Sequence, residues 1–372
     1  MPTASGHVVV AKIGSSSVTT GDGGVDDAAI AKFCSGVASL REAGHTVVVV
    51  TSGAIAAGLT ALGLGGDARP DDAVTLQALA SVGQSRLMAT YERSLASHEL
   101  VAGQVLLTPL DFGVREQYLQ ARSTLTRLIE LGVVPVVNEN DATADDEIRF
   151  GDNDRLAALV AHLIKADTLV LLTDTAGLFT ADPRLDAEAT LIEAVSATDH
   201  DLDAQVGGAG TARGSGGMAS KLAAARMAAF SGVRAVIARA SRPDVLRDAV
   251  AGVPGTGTII TPGEVRLSAR KLWIAFARPR RGTLGIDAGA VRALVGGNHS
   301  LLPAGVTDVT GGFGVGDAVE IVGPDGATVA KGLSRVTAAA ARDAAGRRTI
   351  DLAGDAAGVV VHRDDLVVLA ER

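Results

Sequence analysis

A three-layer α/β domain with a mainly parallel central sheet is predicted for most of this chain, followed by a small, mostly β module. Three observations predict it. Apolar runs of strand length recur, and they are continuous rather than alternating, as in strands covered on both faces. Segments rich in Ala and Leu, long enough for helices, separate those runs. After about residue 260 the segments shorten, and turns rich in Gly, Pro or Asp recur.

In chain order, the first strand is predicted at Val8-Val9-Val10-Ala11 and the second at Val47-Val48-Val49-Val50. Further strands follow at Val133 to Val137, Thr168 to Leu172 and Val233 to Ile237. Helices are expected over Ala28 to Ala43, Ala73 to Leu95, Tyr118 to Leu131, Asp154 to Ile164 and Met218 to Phe230. In the later part, Val319 to Val322 and Val359-Val360-Val361 read as strands. Asp287 opens a helix that continues through Ala288 to Leu294. The expected division is a domain at 1–262, a linker at 263–272 and a second domain at 273–372.

Composition bounds the function. Hydrophobic residues make up 47% of the 372, enough for a large core, but aromatics are only 3%, so that core rests on Ala, Val, Leu and Ile. The net charge of −8 argues against broad polyanion binding. Residues 273–372 hold 11 Lys and Arg against 11 Asp and Glu, so the whole −8 falls on 1–272. A single cysteine, Cys34, excludes an intrachain disulfide and favours a reducing compartment. It reads as a buried helix residue. No apolar run approaches the roughly 18 residues of a membrane span. The N-terminus lacks the pattern of a signal peptide. The expectation is a soluble, cytoplasmic protein with no membrane contact.

Polar residues cluster where the predicted strands end, which is where open α/β sheets bind ligands. Asn138-Glu139-Asn140-Asp141 follows the third run, and Gly151-Asp152-Asn153-Asp154 comes ten residues later. Together they can bind an ammonium, a carboxylate through amide donors, or a hydrated metal. Lys12-Ile13-Gly14-Ser15-Ser16 closes the first strand with a cation and small residues, a setting for phosphate or an ordinary lysine before a turn. Thr51-Ser52-Gly53-Ala54 closes the second, and Ser52 is expected to cap the next helix. Thr173-Asp174 ends the fourth, ahead of Gly177. A Gly-rich loop from Gly207 runs through Gly214-Ser215-Gly216-Gly217-Met218-Ala219-Ser220 to Lys221. It is not a P-loop, because Leu222 stands where Ser or Thr would follow the lysine. Two lysines at phosphate-friendly loops point to phosphoryl transfer, which needs positive charge around the moving group. The seven histidines show no metal-ligand spacing.

In their order and spacing these motifs resemble the amino acid kinase family over nearly the whole chain. The resemblance is strongest to members that phosphorylate the side-chain carboxylate of L-glutamate. It implies ATP and Mg²⁺ as cofactors, with the metal held mainly by ATP and water, and L-glutamyl 5-phosphate as product at the first step of proline biosynthesis. It implies catalytic roles for Lys12, Asp154 and Lys221, with Asp154 organising the two lysines. It implies glutamate binding by Ser52, Asp141, Asn153, Asn138 and Asp152. ATP binding is implied for Lys12, Gly14, Thr173, Asp174 and the run from Ser215 to Lys221. Feedback inhibition by proline, a homodimer or homotetramer, and coupling to glutamate-5-semialdehyde dehydrogenase are further implications.

The C-terminal part resembles a PUA domain through Trp273-Ile274, Gly285-Ile286-Asp287, Ser300 to Pro303 and Gly311-Gly312-Phe313. Its neutral charge and few aromatics speak against RNA binding. The alternatives are another kinase of the family, acting on aspartate, N-acetylglutamate or carbamate, and an RNA-binding protein using the PUA-like part.

Overall fold

The computed structural model describes residues 6–21, 23–64, 70, 72–143, 153–183, 185–197, 217–262, 267–277, 280–297, 299–348 and 358–369. The chain divides into two compact units, Met1–Ala269 and Arg270–Arg372.

The first unit is built on an eight-stranded sheet. Its strands are β1 (Val8–Ile13), β2 (Thr46–Val50), β3 (Ala102–Leu107), β4 (Val134–Glu139), β5 (Thr168–Thr173), β6 (Ala194–Ser196), β7 (Arg234–Arg239) and β8 (Gly257–Thr261). The order across the sheet is β3-β4-β2-β1-β5-β7-β8-β6. Every neighbouring pair is parallel except β7 with β8. The central strands are the ones the continuous apolar runs predicted. All six residues of β4 and of β5 are buried, as two covered faces require.

Seven helices matter for the site: α1 (Asp27–Glu42), α2 (Ala54–Ala61), α3 (Ala73–Ala96), α4 (Arg115–Glu130), α5 (Asn153–Leu163), α6 (Met218–Phe230) and α7 (Val245–Ala251). Val9, Ala11 and Ile13 of β1 share one core with Ile30, Phe33 and Val37 of α1 and Leu87, Tyr91 and Leu95 of α3. Successive strand residues point to opposite faces. Lys12 therefore points away from that core, toward α5 and α6, which pack on each other. Helices α2 and α3 touch backbone to backbone. A Cβ at Gly83 would lie 1.8 Å from the Ala54 carbonyl oxygen, and one at Gly58 2.0 Å from that of Leu79. This contact holds α3 at one fixed depth against the loop that precedes α2.

In this unit three strands carry no continuous apolar run and are not predicted, nor are the strands Arg280–Ile286, Val306–Gly311 and Thr328–Ser334 of the second unit. β3 lies at the sheet edge and is mostly half-buried, so its apolar run is diluted. β6 has three residues, and β8 is Gly257-Thr258-Ile259-Ile260-Thr261. Ser52 is not the cap of α2. Gly53 holds that position with a φ of 107°, and no side chain caps the helix. A left-handed residue is needed to turn the strand into the helix there, and glycine takes that conformation without steric cost.

The second unit carries its own five-stranded sheet, ordered β10-β9-β11-β12-β13. The strands are β9 (Arg280–Ile286), β10 (Val306–Gly311), β11 (Ala318–Val322), β12 (Thr328–Ser334) and β13 (Val361–Val368). Leu284, Ile286, Val319, Ile321 and Val361 contribute to a separate core. Asp287 caps α8 (Ala288–Gly296) as the sequence predicts, accepting from Ala290 N at 2.7 Å. The last strand begins at Val361 rather than at Val359, and it runs on through His362-Arg363-Asp364-Asp365. The polar stretch hid it, because a strand exposed along part of its length has no continuous apolar run. Among the described residues, no helix is long and apolar enough to cross a membrane.

Candidate active site

The carboxyl ends of β1, β2, β4 and β5 bring the site together. Lys12 is the penultimate residue of β1, flanked in register by Val50 of β2 and Leu171 of β5. It is 3% exposed. Two other chain segments meet it. Asp154, at the start of α5, is fully buried, and one of its oxygens pairs with Lys12 Nζ. The other accepts from Lys221 Nζ at 3.1 Å. Lys221 stands one turn into α6, itself buried, behind an N-cap, Gly217, that supplies no side-chain hydrogen bond. The amino end of α6, at Gly217, Met218 and Ala219, thus presents backbone N–H groups beside a lysine, while Ser220 N donates to the Gly217 carbonyl at 3.1 Å.

Burial pushes the Asp154 carboxyl up, but the ammonium groups of Lys12 and Lys221 outweigh that and hold it below the ordinary carboxylate value. Two buried ammonium groups thus converge on one carboxylate, a grouping of positive charge suited to an anion. Gly14 adds room: a Cβ there would stand 3.5 Å from Lys12 Nζ.

An amide network adjoins the cluster. Asn153 Nδ2 donates to the Thr51 carbonyl at 2.6 Å and to Asn138 Oδ1 at 2.7 Å. Asn138 Oδ1 also accepts from Glu139 N at 2.9 Å, and Asn138 Nδ2 donates to Gln84 Oε1 at 2.7 Å. Ser52 follows Thr51 directly, half-buried at the end of β2. Beyond β4 opens a cleft of about 300 Å³, lined by Ala54, Gln84, Gln104, Glu139 and Asp141 among others. Asp141 is half-buried there. Thr173 is buried at the end of β5 and donates to Asp174 Oδ1 at 3.0 Å. Both line a larger cleft of about 670 Å³ with Ser16 and Ser17, between α1 and the start of α7.

The structure therefore unites Lys12, Asp154 and Lys221 in one cluster and joins Asn138 to Asn153. Asp141 lies in the adjoining cleft, while Thr173 and Asp174 line a different one. Asp152, Ser215 and Gly216 lie outside the described residues. The sequence reading passed over Gln84 and Tyr91, both on α3. Neither stands near a strand end or a glycine cluster, so no local signal marks them.

Buried lysines sharing a carboxylate at the carboxyl edge of a mainly parallel sheet define a class of α/β protein equipped to hold phosphate. Residues 7–239 match the amino acid kinase family, and residues 282–354 match the PUA domain. A glutamate 5-kinase of Burkholderia multivorans is 47% identical over 365 residues, 97% of each chain. One of Burkholderia vietnamiensis is 46% identical over the same share. Among solved structures, carbamate kinase from Giardia lamblia bound to AMP-PNP superposes with a TM-score of 0.51 at 16% identity, covering 70% of this chain and 100% of that one. That likeness concerns the fold. The chain belongs to the amino acid kinase family and carries a PUA domain at its C-terminal end.

Proposed function

We propose that this protein transfers the γ-phosphoryl group of ATP to the side-chain carboxylate of L-glutamate. The product is L-glutamyl 5-phosphate, formed at the first step of proline biosynthesis. The observation that carries the reading is the buried Lys12–Asp154–Lys221 cluster beside the Asn138–Asn153 network. Near-full-length similarity to glutamate 5-kinases supports the choice of acceptor.

The acceptor carboxylate is already ionised near neutral pH, so it attacks without a general base. A carboxylate oxygen bonds to the γ-phosphorus as the bond to the ADP oxygen breaks. Lys12 and Lys221 offset negative charge on the transferring group and on the departing phosphate. Asp154 keeps both ammoniums aimed at one place. Ser52, Asn138, Asp141, Asp152 and Asn153 bind glutamate, with Asp141 as the partner of its ammonium. Gly14, Thr173, Asp174 and the segment from Ser215 to Lys221 bind ATP.

Both Asp154 oxygens face lysines, and among the described residues no group of three or more His, Cys, Asp or Glu can hold a metal ion. Mg²⁺ would be held mainly by ATP and water, and would supply charge neutralisation on the phosphates. The reading extends to a kinase body at 1–262, a PUA-like domain at 273–372, a cytoplasmic homo-oligomer, inhibition by proline, and passage of the labile acyl phosphate to glutamate-5-semialdehyde dehydrogenase.

The test is ADP release from Mg-ATP with glutamate, aspartate, N-acetylglutamate and carbamate, with hydroxylamine present to trap an acyl phosphate. Turnover and hydroxamate with glutamate alone are expected. Turnover with another acceptor instead would overturn the substrate assignment.

A further inference from the structure

Tyr91 is a phenol buried beneath the acceptor site, and the chemistry above makes no use of it. It lies on α3 two helical turns after Gln84, so the two share a face. Tyr91 is 0% exposed, and its ring meets Phe33 edge-on with centroids 6.5 Å apart. Packing alone needs no hydroxyl there, since Phe would fill nearly the same volume. A buried hydroxyl needs a partner, and here the partner is Thr51 Oγ1 at 2.8 Å.

The direction of that bond follows from proton counting. Thr51 Oγ1 also donates to the Ser52 carbonyl at 3.2 Å. A threonine hydroxyl has one proton. With that proton on Ser52, the Tyr91 hydroxyl is the donor and Thr51 the acceptor. Burial raises Tyr91 above the ordinary tyrosine value, so it keeps its proton at any working pH. The order Tyr91 to Thr51 to Ser52 is the one in which both bonds are made at once. The Thr51 carbonyl meanwhile accepts from Asn153, whose other acceptor, Asn138, is held by Gln84. Helix α3 grips the chain of bonds at both ends, and the close approach of Gly83 to Ala54 sets its depth.

We propose that Tyr91 is a positioning residue for the acceptor: it holds Thr51 so that the Thr51 carbonyl fixes the Asn153 carboxamide and the Thr51 hydroxyl fixes the Ser52 peptide. The proposal rests on the reading of Ser52 and Asn153 as glutamate-binding residues.

The test measures kcat, KM for glutamate and KM for ATP in Tyr91→Phe, Thr51→Val and the double variant, with Asn153→Ala as the benchmark. Loss of one neutral hydrogen bond should raise KM for glutamate about 3- to 10-fold in Tyr91→Phe. KM for ATP should stay within about twofold, and the double variant should be no worse than the worse single, because both break the same bond. If Tyr91→Phe does not fold, Thr51→Val carries the same expectation. A rise with Asn153→Ala but none with Tyr91→Phe or Thr51→Val would overturn this proposal and leave the acceptor site standing. No rise with Asn153→Ala would remove the acceptor site and the proposal with it. Equal rises in both KM values would mark Tyr91 as structural and also overturn it.

Discussion

The two units of this chain treat polar side chains in opposite ways. In the first unit Lys12, Asn138, Glu139, Asn153, Asp154 and Lys221 are all buried. In the second, Ser334 is the one buried polar side chain among the described residues, and charges such as Arg280 with Glu320 pair at the surface. Burying an ion costs several kcal/mol unless it is paired. A unit that buries Lys12, Glu139, Asp154, Lys221 and Arg226 gives up stability for a preorganised field. A unit that buries none is built for packing, and its core needs only its apolar strands and the caps at Asp287 and Thr337.

Substitutions can break or sharpen this contrast. The largest effect is expected from Asp154→Asn, which takes from two buried ammoniums the carboxylate they share. It should cost about 3–5 kcal/mol of stability at neutral pH, read by denaturant unfolding. The same variant tests the pH linkage. Asp154 in the folded protein lies below its ordinary value of 3.8, so its contribution is full above that pH and is lost as pH falls through the lower, folded value. The parent protein should therefore show an acid-side loss of stability that Asp154→Asn lacks. Matching acid profiles would show that the carboxylate is not held down by its lysines.

Next comes Lys12→Ala. Removing one preorganised contact to the transferring group should lower kcat roughly 10²- to 10³-fold, about 3–4 kcal/mol in the barrier. Near-normal turnover would take Lys12 out of the chemistry. A smaller effect is expected where the first unit relies on backbone contact. Gly83→Ala places a methyl against the Ala54 carbonyl and must part α2 from α3, at about 1–3 kcal/mol in thermal or denaturant unfolding. KM for glutamate should rise as well, since α3 carries Gln84 and Tyr91; an unchanged KM would separate the helix contact from the site. The smallest effect belongs to the second unit. Arg280→Ala breaks an ion pair whose arginine is 65% exposed, so it should cost at most about 1 kcal/mol and leave kcat unchanged. A loss of activity there would erase the contrast.

Much of this was legible in the sequence, and the reason is local. Continuous apolar runs announced β1, β2, β4, β5 and β7, since a strand covered on both faces is apolar along most of its length, and polar only toward its ends. The polar residues that close the runs of β1 and β4 marked Lys12 and Asn138, and Gly-bearing segments ahead of helices marked Asn153, Asp154 and Lys221. Edge strand β3, three-residue β6 and the polar half of β13 lacked such runs. The cap assigned to Ser52 failed because the turn needed the left-handed conformation that Gly53 supplies.

The sequence by itself determined the parallel α/β body, the separate β module and the residue types at each strand end. Those follow from periodicity and local chain geometry, which act over a few residues. The family resemblance implied that Asp154 organises Lys12 and Lys221; only the tertiary structure decided that each lysine takes its own oxygen, and that Gln84 and Tyr91 hold the amide network from below. Such contacts join segments tens to hundreds of residues apart. They exist because parallel strand register and the α2–α3 backbone contact bring those segments to one depth, and no local pattern encodes that distance.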